Sequence, residues 1–342
     1  MSTQPLGITN FGAFTELTAQ KIAQAIAQQG FATTGNVYYV DPVNGNDLAN
    51  GQAPVANPGQ SGTGPVQSLG AGYALLVEGH NDVLVLIGNG LSTGSARIHA
   101  TFTWAKDAAH LIGICAPSLF SQRARIAPGT ADTGFANFFV VSGNGCYFSN
   151  VEFFQGFATG VAAEICVTVT GSRNVFNNVH IAGMGDTSGS VGAASATSRN
   201  LLVKADENYF VNSTIGLDTV TRTNSNSSVE ISSNAARTVF RNCIFPTYAG
   251  DNSEVTFLAA AAAAFDRFVL FDNCTFINAT QSGATSVTGS MKLAASAGGF
   301  VLMKDCISLG FSTLYFDATS KTQVFAYGAA QGGTAFLADT QT

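Results

Sequence analysis

Two side chains in this sequence could exchange a proton, because they occupy the same position in two similar segments. Glu152 is the sixth residue of YFSNVEF (147–153), and His180 is the sixth residue of VFNNVHI (175–181). A carboxylate beside an imidazole can serve as a general acid and base. If the two segments are neighbouring strands, Glu152 and His180 lie side by side and form the one pair to which we can assign catalytic chemistry.

The residues at the same position in four further segments argue against a reactive groove. Four further segments carry Thr214, Ile244, Thr275 and Ile307 there, and none of these side chains titrates. The sequence therefore favours a solvated polar pair over a catalytic one.

No other set of residues has the spacing of a known reactive centre. The six cysteines form no CxxC pair and the four histidines do not cluster, so we expect no zinc site. The glycine-rich stretches 51–68 and 88–95 lack the Gly-Lys-Ser/Thr that closes a phosphate-binding loop. Acidic residues such as Asp206, Glu207 and Asp266 fall at predicted turns. We expect no cofactor.

The elements that hold these residues are visible as a repeat. Six seven-residue segments align without gaps, at intervals of 28 to 34 residues. They are YFSNVEF (147–153), VFNNVHI (175–181), YFVNSTI (209–215), VFRNCIF (239–245), LFDNCTF (270–276) and LMKDCIS (302–308). Self-similarity of this period is typical of solenoids, in which each coil buries its apolar side chains against the next. We predict an all-β fold, a right-handed parallel β-helix.

Three columns of the repeat have predictable roles. The Phe column should point into the core, and the Asn column should lie at a bend, where Asn tolerates left-handed backbone and its amide can bond along the stack. The residues of the first column are Phe148, Phe176, Phe210, Phe240 and Phe271, and those of the second are Asn150, Asn178, Asn212, Asn242 and Asn273, with Asp305 after them. Cys243, Cys274 and Cys306 follow Asn or Asp in three successive coils. We predict buried free thiols there, since side chains on adjacent parallel strands rarely meet disulfide geometry.

Residues 1–35 differ from the repeats. Residues 15–29 are predicted to form a helix with an apolar stripe of Phe14, Leu17, Ile22, Ala25 and Ile26. The stripe needs a partner, which is either the end of the solenoid core or a docking and trimerisation surface. We divide the chain into this N-terminal segment (1–35), the solenoid (36–311) and a C-terminal strand or cap segment (312–342).

Composition excludes several classes of function. Charged residues make up 11% of the chain, the net charge is −6 and no basic run occurs, so we expect no nucleic-acid binding. The longest apolar stretches are too short to span a membrane, and no signal peptide is visible, so we expect synthesis and folding in the cytoplasm.

The segment around the first strands carries a family resemblance. YYVDPVNGNDLANG (38–51) and DVLVLIGNG (82–90) resemble the entry segment of parallel β-helix proteins of the pectate-lyase-like superfamily, and HLIGICAPS (110–118) resembles their early coil. Members with a short helical N-terminus and no signal peptide include bacteriophage tailspikes, head fibres and capsid decoration proteins. The resemblance therefore implies a protein of the virion.

Two functional hypotheses follow. The first is a non-enzymatic structural protein of a bacteriophage particle, a homotrimer attached to the capsid through its N-terminal segment. The alternative is a tailspike-type receptor-binding protein or depolymerase that acts on bacterial surface polysaccharide, with Glu152 and His180 as its one nameable site.

Overall fold

The computed structural model describes residues 34–56, 59, 62–115, 124–185, 190–224, 226–279 and 287–327. In this part of the chain the strands form three parallel sheets that wind as a solenoid with little helix. The predicted parallel β-helix is confirmed. None of the described helices has the length and hydrophobicity of a membrane-crossing segment.

The chain visits the three sheets in the order A, B, C in successive coils, and its strands are numbered in chain order. Sheet A contains β1 (Val37–Val40), β2 (Val83–Ile87), β5 (His110–Ile114), β8 (Tyr147–Ser149), β11 (Val175–Asn177), β14 (Tyr209–Val211), β17 (Ala235–Arg241), β20 (Phe265–Asp272), β23 (Phe300–Lys304) and β26 (Val324–Tyr327). Sheet B contains β3 (Ala96–Ile98), β6 (Arg125–Pro128), β9 (Glu152–Phe154), β12 (His180–Ala182), β15 (Thr214–Ile215), β18 (Ile244–Thr247), β21 (Thr275–Asn278) and β24 (Ile307–Leu309). Sheet C contains β4 (Phe102–Trp104), β7 (Asn137–Val141), β10 (Ile165–Val169), β13 (Arg199–Val203), β16 (Ser227–Ile231), β19 (Val255–Ala259), β22 (Val287–Leu293) and β25 (Phe311–Tyr315).

The predicted Phe column is a stack of rings inside sheet A. Its five members pair in register on successive strands and are fully buried. Neighbouring rings are stacked with centroids 4.6–4.9 Å apart. Because this distance matches the spacing of adjacent strands, each ring covers the next without any adjustment of the backbone.

The Asn column forms the corner between sheets A and B. All five Asn residues and Asp305 have φ between 51° and 55°, the left-handed conformation that Asn adopts more readily than most residues. Asn178 Nδ2 donates to Asn150 Oδ1 at 2.7 Å, and Asn273 Nδ2 donates to Asn242 Oδ1 at 2.9 Å. The predicted amide ladder has one irregularity. Asn212 Nδ2 donates to Asn177 Oδ1 at 3.3 Å, and Asn177 is the neighbour of the corner residue Asn178 in the preceding coil.

The cysteine column is also as predicted. Cys243 and Cys274 are buried, Cys306 is partly buried, and all three are free thiols. Each thiol hydrogen-bonds to backbone carbonyls at 3.3–3.5 Å, as between Cys274 and Phe240. The column therefore fills the core beside the corner.

Helix α1 (Leu69–Leu75) lies at the first coil. Ser68 Oγ accepts a hydrogen bond from Ala71 N and caps the helix, while Leu69 and Leu76 join the hydrophobic core. The helix contacts β1, β2 and β3, so a described element already closes this end of the core. The predicted helix at 15–29, with Phe14, Leu17, Ile22 and Ile26, lies outside the described residues.

The alanine run 259–264 is neither a helix nor a long strand. Ala259 ends β19, residues 260–263 turn with Ala263 at φ 53°, and Ala264 is buried before β20 begins. A second short helix, α2 (Ala318–Lys321), follows β25 and is capped by Asp317.

Candidate functional site

Glu152 and His180 are neighbours, as the repeat predicts. They face each other in register on β9 and β12, with His180 Nδ1 3.7 Å from Glu152 Oε1. Their flanking residues Phe153 and Ile181 point into the core, so the pair lies on the outer side of sheet B. Yet only 3% and 1% of the two side chains is exposed. The expectation of a solvated pair was therefore wrong, because other parts of the fold cover this stretch of the outer face.

The surroundings of the pair give it a structural role. His180 Nε2–H donates to Gly216 O at 3.0 Å, since a carbonyl oxygen can only accept. Burial lowers the pKa of His180 to about 4, so the imidazole is neutral at neutral pH. A polymer chain cannot reach either side chain in this arrangement. The hydrogen bond from His180 fastens the loop at Gly216 to sheet B.

A third residue of this column, Arg125, was missed by the sequence analysis. Arg125 pairs in register with Glu152, its Nε lies 4.0 Å from Glu152 Oε2, and it donates to Ser95 Oγ at 2.9 Å. Its guanidinium also lies over the ring of Phe154, 5.0 Å from the centroid. In this coil ten residues connect Ile114, at the end of β5, to Arg125, at the start of β6. In the later coils a short corner containing one Asn makes the same connection. The gapless alignment could therefore not include this coil.

A second group of polar side chains is buried at the corner between sheets B and C. Arg222 is 1% exposed, and its Nη2 donates to Gly183 O and Asn200 Oδ1, both at 3.2 Å. Its Nε has no hydrogen-bond partner within the described residues. Burial lowers the pKa of Arg222 to about 9 and raises that of the nearby Glu254 to about 8. The guanidinium therefore ties a loop to the corner.

Glu164 stands just before β10, as Glu254 stands just before β19 in a later coil. Glu164 is fully buried, its Oε1 accepts from Val161 N at 2.9 Å, and burial raises its pKa to about 7. Arg222 and Glu164 were not singled out from the sequence, because neither belongs to the aligned segments. Among the described residues no three His, Cys, Asp or Glu side chains are arranged to hold a metal ion.

An open groove of about 410 Å³ runs over the outer face of sheet C, between β19, β22 and α2. Small and aliphatic residues form its floor, and charged residues stand at its sides. Its lining includes Leu258, Ala259, Ala260, Ala294 and Ala295, with Arg199, Lys292 and Asp317. Arg199 Nε donates to Glu230 at 2.6 Å, and Lys292 Nζ lies 4.5 Å from the centre of the Phe316 ring. The groove has the size of a small-molecule site.

The outer face of sheet A changes along its length. Over the first strands its apolar residues form a cluster of their own, separate from the core, and we call it the covered half. Its members are Tyr39, Val83, Val85, Ile112 and Tyr147, all 0–9% exposed.

The last two strands present large apolar side chains to solvent on the same outer face, and we call them the open half. Its members are Phe300 (53% exposed), Leu302 (37%), Phe325 (51%) and Tyr327 (78%). Leu302 pairs with Phe325, and the rings of Phe300 and Phe325 meet edge to face at 5.3 Å. Beside them Asp272 bonds to Arg241 at 2.8 Å and to Lys304 at 3.1 Å. The open half is therefore an aromatic strip with a charged margin.

Comparison with solved structures returns polysaccharide-acting β-helix enzymes. The chain is similar to pectin methylesterase PemA from Erwinia chrysanthemi (13% identity, TM-score 0.51, 91% of this chain and 95% of that one). It is also similar to a rhamnogalacturonan lyase (16%, 0.54, 83% and 71%) and to a pectate lyase (18%, 0.53, 83% and 65%). Identities this low show the shared fold alone. No protein-family model and no curated protein sequence matches the chain.

Proposed function

We propose that this chain is a non-enzymatic structural protein of a bacteriophage particle, a β-helix that assembles with copies of itself through the open half of sheet A and decorates the capsid. The observation that carries the proposal is the exposed strip of Phe300, Leu302, Phe325 and Tyr327. Residues 38–51 and 82–90 resemble the entry segment of the pectate-lyase-like superfamily, which includes bacteriophage virion proteins, and this resemblance is the reason for proposing a phage particle.

The strip has the anatomy of a protein interface. Contiguous aromatic side chains form its centre, and the alternating charges of Arg241, Asp272 and Lys304 form its margin. Aromatic residues are enriched at the centres of such interfaces and charged residues at the rims. Within the described residues β26 is also the edge strand of sheet A, and an edge strand can pair with a partner chain.

A closed trimer is the assembly that we favour. Three parallel solenoids can each bury the strip of the open half against the others around a common axis. The surface outside the interface is then rich in Ser, Thr, Asn and Gly, in keeping with 11% charged residues. Such a surface suits a rigid rod packed beside capsid subunits.

Light scattering coupled to size exclusion tests the assembly. The native chain is expected to elute as a trimer, and the double variant Phe300→Ser/Phe325→Ser as a folded monomer. Leu48→Ser is the matched control, because Leu48 is 90% exposed outside the sheets and should not alter assembly. A native monomer, or a variant that stays trimeric, contradicts the role of the strip.

Imaging of purified particles tests the location. Ordered copies of the chain on the capsid are expected. Density at the tail tip, or none on any particle, contradicts a capsid role and places polysaccharide recognition first.

Polysaccharide binding is the second candidate, and the groove on sheet C favours it. Lys292 beside an apolar floor could hold an acidic sugar, and the solved structures with this fold include enzymes named for pectin and rhamnogalacturonan. Binding of acidic oligosaccharides by calorimetry, and release of reducing ends, are the measurements. Lys292→Glu should abolish such binding, whereas Lys204→Glu, the same charge change on an exposed residue outside the groove lining, should not.

A further inference from the structure

Three free thiols lie in one column beside the corner between sheets A and B. They belong to Cys243, Cys274 and Cys306, which occupy the same position in successive coils. The backbone repeats between them, because Thr275 N donates to Cys243 O at 2.9 Å and Ile307 N donates to Cys274 O at 2.9 Å. Cys243 and Cys274 are buried, whereas Cys306 is partly exposed. A solute can therefore reach the column at its Cys306 end.

The three thiol side chains have the same orientation. Each sulfur atom contacts two carbonyl oxygens at 3.3–3.5 Å, one of them two residues earlier in its own coil and the other in the preceding coil. Because the same contacts require the same rotamer, neighbouring sulfur atoms are separated by the distance between coils. The stacked rings of Phe240 and Phe271 lie in two of these coils, and their centroids are 4.9 Å apart.

We propose that Cys274 and Cys306 form a binding site for a soft monovalent cation of the Cu(I) or Ag(I) type, held between their two sulfur atoms. Soft cations of this kind prefer thiolate ligands. An ion midway between two sulfur atoms one coil apart lies about 2.4 Å from each of them, close to the roughly 2.3 Å of a metal–thiolate bond. A disulfide needs a sulfur–sulfur distance of about 2.05 Å. The spacing of the coils is therefore too long for a disulfide and suits a bridging ion.

The charge of the site favours a monovalent ion. Interaction with the neighbouring Cys274 thiol, together with burial, raises the pKa of Cys306, and burial raises the pKa of Cys274. Both thiols are therefore protonated at neutral pH. Binding of the ion displaces one thiol proton to solvent, and the ion then lies between one thiolate and one thiol. This unit has no net charge, so no uncompensated charge enters the edge of the core.

The coil before Cys243 shows how the column accommodates a residue without a sulfur atom. Ser213 occupies the same position there, and its Oγ donates to Val211 O at 2.8 Å and to Phe176 O at 3.4 Å. These are the two positions that the thiols contact in the later coils. Serine thus fits the column with the same hydrogen bonds, and we expect cysteine-to-serine variants to fold.

Protection of Cys306 from a maleimide by silver nitrate, in chloride-free buffer, tests the site in the full-length chain. Peptide mass spectrometry separates labelling at Cys306 from labelling at the other cysteines. Cys243→Ser keeps the proposed pair and should leave the protecting Ag(I) concentration unchanged. Cys274→Ser should raise that concentration at least about 100-fold, because the two thiols that remain in the column are two coils apart and cannot share one ion.

The two variants make the same change at neighbouring positions of one column, and each leaves two thiols there. Only the spacing of those thiols differs. Equal protection in Cys274→Ser and Cys243→Ser overturns the proposal, because Cys306 would then bind Ag(I) alone. Loss of protection in both variants also overturns it, because two thiols in adjacent coils would then not be sufficient.

Thermal melting shows whether each variant is folded before labelling. If Cys274→Ser does not fold, X-ray absorption of the Cys243→Ser variant with one equivalent of Ag(I) decides the question. Two sulfur neighbours of the silver ion are expected, and a single sulfur neighbour overturns the site. The inference does not depend on the proposed function.

Discussion

The two halves of the outer face of sheet A carry the same kind of residue with opposite fates. In the covered half Val83 and Val85 are as buried as any core residue, while in the open half Phe300 and Phe325 are about half exposed. Both halves come from strands in which alternate residues point inward to the same core. Strand alternation therefore determines whether a side chain points to the core or to the outer face. What packs on the outer face determines whether that side chain is buried or exposed.

The largest contrast is expected from charge insertion. Val85→Asp places an unpaired carboxylate in the covered half and should lower the free energy of unfolding by about 5 kcal/mol, at the upper end for single substitutions. Leu302→Asp should change it by about 0.5 kcal/mol or less, because position 302 stays solvated in the monomer. Urea unfolding at low protein concentration measures both. If Val85→Asp does not fold, Val85→Thr keeps the shape of the side chain and should still lower the free energy of unfolding by about 1–2 kcal/mol. Equal losses of stability at positions 85 and 302 would contradict the distinction between the two halves.

The Phe ladder supplies the reference for full burial. Phe240→Ala and Phe271→Ala each leave a gap between stacked rings and should cost about 3–5 kcal/mol. Phe300→Ala removes the same ring from the open half and should cost about 1 kcal/mol or less in the monomer. Thermal and urea unfolding are the measurements. A costly Phe300→Ala in a demonstrated monomer would mean that the open half is covered after all.

The repeats made the interior predictable and left the outer face undetermined. Stacking places like residues above one another, so the positions of Phe240, Asn242 and Cys243 could be inferred from the gapless alignment alone. The adjacency of Glu152 and His180 followed from the same register. Their burial did not, because it depends on residues far away in the chain.

Arg125 and Arg222 could not be predicted from the sequence, for two different reasons. Arg125 follows a long connection that replaces the Asn corner in its coil, so no column includes it. Arg222 lies in a connection between β15 and β16, where the coils share neither length nor sequence. Side chains contributed by variable loops cannot be placed by a repeat.

Acidification should destabilise the fold in part through His110, which lies on the outer face of sheet A next to the covered half. The backbone N–H of Tyr147 donates to His110 Nδ1 at 3.1 Å, so the imidazole is neutral, and burial lowers its pKa to about 4. The unfolded chain binds this proton near pH 6.5 and the folded chain only near pH 4, so stability present above pH 6.5 is lost as the pH falls through this window, by about 3 kcal/mol. His110→Gln should remove that loss, measured as the difference in unfolding free energy between about pH 7 and pH 4.5 for the two chains. An identical pH dependence in both would contradict burial of His110.

The smallest effect on stability is expected at the margin of the open half. Asp272 joins Arg241 and Lys304 on a partly exposed surface, where ion pairs contribute little to folding. Asp272→Lys should therefore leave the unfolding midpoint almost unchanged. It should nevertheless weaken assembly, because three cations would then line the rim of the strip. Sedimentation at about 50 and 500 mM NaCl measures this, and the defect should be larger at low salt, where like charges are less screened. If Asp272→Lys changes assembly at neither salt concentration, the interface lies elsewhere. The apolar residues of the open half would then be exposed for a reason other than assembly.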